Sequence, residues 1–169
     1  MKKQLFGAAA AAALVIVWAT APQRAMAAPV PHVLPPATGL QWNQTAAQVL
    51  QTCDDQIALT KAAIAKIETL SAPEWSFVDS VQAVETATAV LNDGTTAQTF
   101  LASVAPASDV RDAANKCQQE VSDYFTTLSA DPKIYAMSAR VQTIGDAKTD
   151  ADKKLVETYV LTGVRADIA

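Results

Sequence analysis

The stretch from Val104 to Leu128 limits the possible folds most. Val110, Ala113, Cys117, Val121, Tyr124 and Leu128 recur at steps of three or four residues, while Asp112, Asn115, Lys116, Gln119, Glu120 and Asp123 fall between them. That period places one apolar stripe along an amphipathic helix. Ser108 is expected to accept a bond from a first-turn N–H, Asp109 and Asp112 suit the positive end of the helix dipole, and Pro106 lies just outside. The only other cysteine, Cys53, occupies the same kind of position on an earlier stripe.

That earlier helix is expected from a cap at Asn43 to about Leu70. Val49, Leu50, Cys53, Ile57, Ile64 and Ile67 form its stripe, Thr60 weakens the middle, and Ser71-Ala72-Pro73 ends it. A second helix is expected over Phe77 to Asn92, with Phe77, Val81, Val84, Thr88 and Leu91 inward and Gly94 placed to stop it. A short third segment, Thr96 to Val104, is expected to be anchored by Phe100 and Leu101. After the Val104–Leu128 stretch, Asp131-Pro132 caps a helix carrying Ile134, Met137, Val141 and Ile144 up to Gly145. The last helix starts at Thr149 or Asp150, where Thr149 and Asp152 form a weak capping box, and Leu155, Val156, Tyr159 and Val160 are its apolar patch. Abundant alanine, five glycines and no alternating β-branched runs favour the same answer. The expected class is all-α: an antiparallel bundle or folded-over array of about five to six helices.

The N-terminal residues serve another purpose. Lys2 and Lys3 form a basic start, Leu5–Ala21 is apolar, and Ala25-Met26-Ala27 is a small-x-small cleavage site, so residues 1–27 read as a secretory signal peptide. Residues 28–39, with four prolines in twelve, read as a tether. The helical domain then spans residues 40–169. Removing Lys2, Lys3 and Arg24 leaves 10 basic against 17 acidic residues, a net charge of −7. Such a balance argues against a nucleic-acid partner, and membrane contact is expected only through the signal segment.

Two cysteines on inward faces of an exported chain favour a Cys53–Cys117 disulfide; two unpaired core thiols are the plain alternative, and a catalytic thiol a third reading. No histidine lies on a framework helix to activate such a thiol. The lone histidine, His32, is in the tether, where a solvated tail residue is a simpler reading than a metal ligand or general base. There is no His-Glu-x-x-His, no Cys-x-x-Cys and no glycine-rich phosphate loop. Asp54-Asp55 is the closest carboxylate pair, yet adjacent helical residues diverge by about 100°. Trp42, Trp75, Phe77, Tyr124, Phe125 and Tyr135 read as core and helix-end packing. The expected inventory is no catalytic residue, no metal ligand and no cofactor in this chain.

Several short patterns occur in a telling order: Leu40-Gln41-Trp42-Asn43; Trp75-Ser76-Phe77; Val104-Ala105-Pro106 followed by Asp109-Val110-Arg111-Asp112-Ala113; Ile134-Tyr135-Ala136; and Lys154-Leu155-Val156-Glu157 leading to Val164-Arg165. Their succession over residues 40–165 resembles the N-terminal helical region of the thimet oligopeptidase and neurolysin family of zinc metallopeptidases. The chain departs from that pattern at Ala105, where relatives usually carry serine, and over Gly163–Asp167. The resemblance implies a helical segment forming part of one wall of a channel that admits short peptides. The zinc-binding residues of such enzymes lie far beyond this region, so no family functional residue carries over.

The expected function is therefore an exported, non-catalytic N-terminal scaffold segment of an oligopeptidase-like protein, from a truncated or split reading frame. Its expected partners are a C-terminal catalytic polypeptide and short peptides. The alternative is a free-standing periplasmic helical module that binds a peptide or protein. A secreted structural or inhibitor-like domain ranks behind both.

Overall fold

The computed structural model describes residues 41–167, so the expected signal peptide, the expected tether and His32 lie outside the described residues. Five α-helices follow one another: α1 (Ala46–Glu68), α2 (Ala83–Val104), α3 (Ser108–Ser129), α4 (Pro132–Ile144) and α5 (Asp150–Asp167). A 3₁₀ turn (Ala72–Glu74) and a π-helical segment (Phe77–Gln82) fill the connection between α1 and α2. No strand occurs among the described residues. The chain is an all-α helical array.

Helices α1, α2 and α3 all pack against one another as a three-helix bundle, and α4 and α5 form a hairpin that joins it through the π segment and one end of the bundle. Apolar clusters trace this arrangement. At one end Val49, Leu101, Val110 and Ala114 close the bundle. In the middle, Cys53, Ile57, Leu91, Cys117 and Val121 pack together. At the other end Ile64, Ile67, Val84, Ala87 and Leu128 meet Ile134 and Met137 of α4. Phe77 and Val81 of the π segment then pack with Val141, Ala147 and Val156. Along one continuous helical run, the apolar stripe thus passes from the hairpin, at Phe77 and Val81, to the bundle, at Val84 and Ala87. The widened π turn lies where that exchange of partners occurs.

The stripes behave as their periodicity requires. Val49, Cys53, Ile57, Ile64 and Ile67 are buried, as are Val110, Ala113, Cys117, Val121 and Leu128. Thr60, the weak point of the first stripe, is buried as well, and its hydroxyl donates to the Gln56 carbonyl at 3.0 Å, which satisfies the polar group. Asp131 caps α4 by accepting from the N–H groups of Lys133 and Ile134. Gly145 ends that helix at φ 63°. The box at the start of α5 also forms: Thr149 N donates to Asp152 at 2.9 Å, and Asp152 N to Thr149 Oγ1 at 3.1 Å.

Several boundaries differ from the sequence reading. Helix α1 is capped by Thr45 in a reciprocal box with Gln48, not by Asn43. Ser108 is the first helical residue of α3, and no side chain caps that end. Gly94 does not stop a helix. It lies inside α2, which runs unbroken through the segment expected to be separate. A Cβ at position 94 would stand 2.4 Å from Gln56 Oε1, so glycine leaves room for the Gln56 side chain of α1 to lie against α2. Leu101 is buried at this end, but Phe100, its expected companion, is exposed and meets Trp42 edge-on at 6.1 Å. Trp42 and Ile144 are likewise exposed.

Candidate functional site

The most constrained locus is the centre of the bundle. Cys53 in the second turn of α1 and Cys117 in the middle of α3 form a disulfide with Cα atoms 5.7 Å apart. Both residues are fully buried against Leu91 and Ile57. No free thiol remains among the described residues, which removes the catalytic-thiol reading. The bond is compatible with an oxidising extracellular compartment. No described helix is long and apolar enough to cross a membrane.

Other candidate residues are dispersed. Asp54 and Asp55 are both exposed, and Asp55 accepts from Gln51 Nε2 at 2.8 Å, as on any solvated helix face. Trp75 bonds the Leu70 carbonyl through Nε1 at 3.1 Å and closes the turn after α1. Tyr124 lies beneath the Lys61 ammonium, 5.6 Å from the ring centre, and beside Phe125. Among the described residues no three His, Cys, Asp or Glu side chains come together as metal ligands would.

The joints between elements carry the polar contacts. Arg111 donates through Nη1 to the carbonyls of Ala105 at 2.8 Å and Pro106 at 2.7 Å, fixing the α2–α3 corner. The Asp146 carboxylate, in the α4–α5 loop, accepts from Phe77 N at 2.8 Å and ties the π segment to the hairpin. Lys133 donates to the Glu68 carbonyl, joining the ends of α1 and α4. Tyr135 of α4 lies so close to α5 that a Cβ at Gly163 would come within 2.5 Å of its ring.

Tyr159 and Glu85 form a second polar link from hairpin to bundle that the sequence did not reveal. Tyr159 Oη donates to Glu85 Oε2 at 3.0 Å across 74 residues of sequence. Burial, and secondarily the Glu85 charge, push the Tyr159 hydroxyl well above its ordinary value of 10.0. A folded-state pKa raised in this way means the native chain holds its proton longer than the unfolded one. The associated stability is full below pH 10 and declines as the pH rises beyond it. Tyr159→Phe is expected to cost about 1 kcal/mol at pH 7 and to flatten the alkaline fall in stability. Urea unfolding of both proteins between pH 8 and 11 checks this.

A groove between α2 and α3 was also invisible in the sequence. It has a volume of about 530 Å³, and hydroxyl and amide side chains line most of it.

No family model matches the chain, and neither the curated proteins nor the solved structures contain a match to it.

Proposed function

We propose that this chain is the exported N-terminal helical scaffold of an oligopeptidase-like zinc metallopeptidase, supplying shape and no catalytic group of its own. The observation that carries this reading is that residues of the resembling patterns occupy the joints of the fold. Arg111, from the Asp-Val-Arg-Asp-Ala pattern, bonds the carbonyls of Ala105 and Pro106, from the pattern just before it. Trp75 and Phe77 make the contacts that lead into α2. Tyr135 sets the spacing of α4 and α5, and Val156 is buried between them and the π segment. Residues fixed at joints serve a scaffold rather than a reaction.

Zinc, which the resembling enzymes use, does not fit the donors of this chain. A site of that kind takes two histidines and a carboxylate, with a further carboxylate as base. The chain has one histidine, and the described residues gather no set of three donors. The metal would belong to a catalytic polypeptide joined to or associated with this one. Cleavage after Ala27 would deliver the domain to the periplasm, where the disulfide forms. Its negative charge makes nucleic acid an unsuitable partner.

The purified chain, loaded with zinc and mixed with short quenched-fluorescent peptides, is expected to show no hydrolysis. Chelator-sensitive turnover that disappears in His32→Ala would overturn the reading. Peptide binding without turnover, in a chain that has no catalytic partner in its host, would favour the free-standing module.

A further inference from the structure

We propose that the cleft between α2 and the start of α5 binds a small organic cation that carries an apolar body. The cleft has a volume of about 480 Å³, which is the size of a small-molecule site. Phe77, Val90 and Leu155 give it an apolar floor, and Glu85, Asp93 and Asp152 are the charged residues of its wall. No lysine, arginine or histidine lines it. Apolar surface and uncompensated carboxylates therefore meet in one space, and a guest that suits both must be part hydrocarbon and part cation.

The carboxylates of the wall are available to such a guest. Asp93 is exposed and has no hydrogen-bond or ion-pair partner among the described residues. Glu85 accepts from Tyr159 Oη through Oε2 at 3.0 Å, and Asp152 accepts from Thr149 N through Oδ2 at 2.9 Å, so each keeps a second oxygen. The neighbouring cations are committed elsewhere. Helix α2 contains no lysine or arginine, and Lys148, Lys153 and Lys154 pair with Asp146, Asp150 and Glu157. The cleft thus concentrates negative potential over an apolar floor. Two observations narrow the cation. Glu85 and Asp93 are eight residues apart on one helix, about 12 Å along its axis, and no three acids converge among the described residues, so a metal ion finds no cage here. The floor of Phe77, Val90 and Leu155 is covered by an alkyl or aryl body and not by a fully hydrated polyamine. The proposal stands apart from the scaffold reading, because the cleft exists whichever polypeptide the bundle serves.

The ¹⁵N-labelled exported chain is titrated with phenylbutylamine, phenylbutyrate, spermidine and acetyl-Phe-Arg-amide. Phenylbutylamine is expected to shift amides of residues 82–93 and 151–155. Phenylbutyrate, with the same body and the opposite charge, and spermidine, with charge and no apolar body, should each bind at least about tenfold more weakly. Asp93 is exposed and unpartnered, so Asp93→Lys should keep the fold while raising the Kd for phenylbutylamine at least about fivefold. Asp112→Lys makes the same change of net charge at an exposed position of α3 and should leave that Kd within about twofold of the parent. Unshifted cleft amides, equal affinity for phenylbutyrate or spermidine, or an equal loss in Asp93→Lys and Asp112→Lys would each overturn the proposal. Tighter binding of acetyl-Phe-Arg-amide than of phenylbutylamine would assign the cleft to a peptide and overturn the small-molecule claim.

Discussion

Replacing Cys53 and Cys117 together by alanine is expected to lower the unfolding free energy by about 4 kcal/mol and the melting temperature by roughly 15 °C. The bond spans 64 residues of sequence, and closing a loop of that length restricts the unfolded chain heavily. It also lies in the middle of the bundle against Leu91 and Ile57, where two alanines would leave a void behind them. Calorimetry of the double variant beside the parent measures the difference. A loss under 1 kcal/mol would mean that the reduced chain is already held in shape by its apolar stripes.

Met137→Ala is expected to cost about 3 kcal/mol. Met137 is 1% exposed, on α4, and packs with the cluster containing Ile64, Ile67, Val84, Ala87 and Leu128. It is therefore a side chain of the hairpin buried within the end of the bundle. The substitution removes apolar contacts that hold the two parts together, so urea unfolding followed by far-ultraviolet circular dichroism should show a lower midpoint and a broader transition. An unchanged midpoint would show that the hairpin contributes nothing to the bundle's stability.

What could be read in advance follows a physical division. The stripes of α1 and α3 were legible because one buried face repeats every three or four residues, and the cysteine pair was legible because both members fell on such faces. Asp131 and Gly145 declared the ends of α4 by side-chain capping and a positive φ, which are local chemistry. Gly94 misled for a related reason. Following Asn92-Asp93 it looked like a stop, yet Leu91, Thr95, Gln98 and Leu101 carry the buried stripe straight past it. Its role is to clear Gln56 on another helix, and no local signal encodes that. Phe100 was misjudged because Leu101 beside it takes the inward position, and adjacent helical residues cannot share a face. The Tyr159–Glu85 bond and the hydroxyl groove need two distant segments to be placed side by side. Neither leaves a periodic trace in one of them.

The proposal that the joints fixed by Arg111, Trp75 and Tyr135 belong to a scaffold serving a catalytic polypeptide is addressed most directly by one measurement. Mass spectrometry of native-host fractions containing the Cys53–Cys117 linked peptide pair would identify whatever is joined to or stably bound by this domain. The expected result is a polypeptide containing His-Glu-x-x-His in the same species, with chelator-sensitive cleavage of short peptides in the same fractions. Finding the linked pair only in a species of about 15 kDa, alone and without that activity, would contradict the scaffold reading.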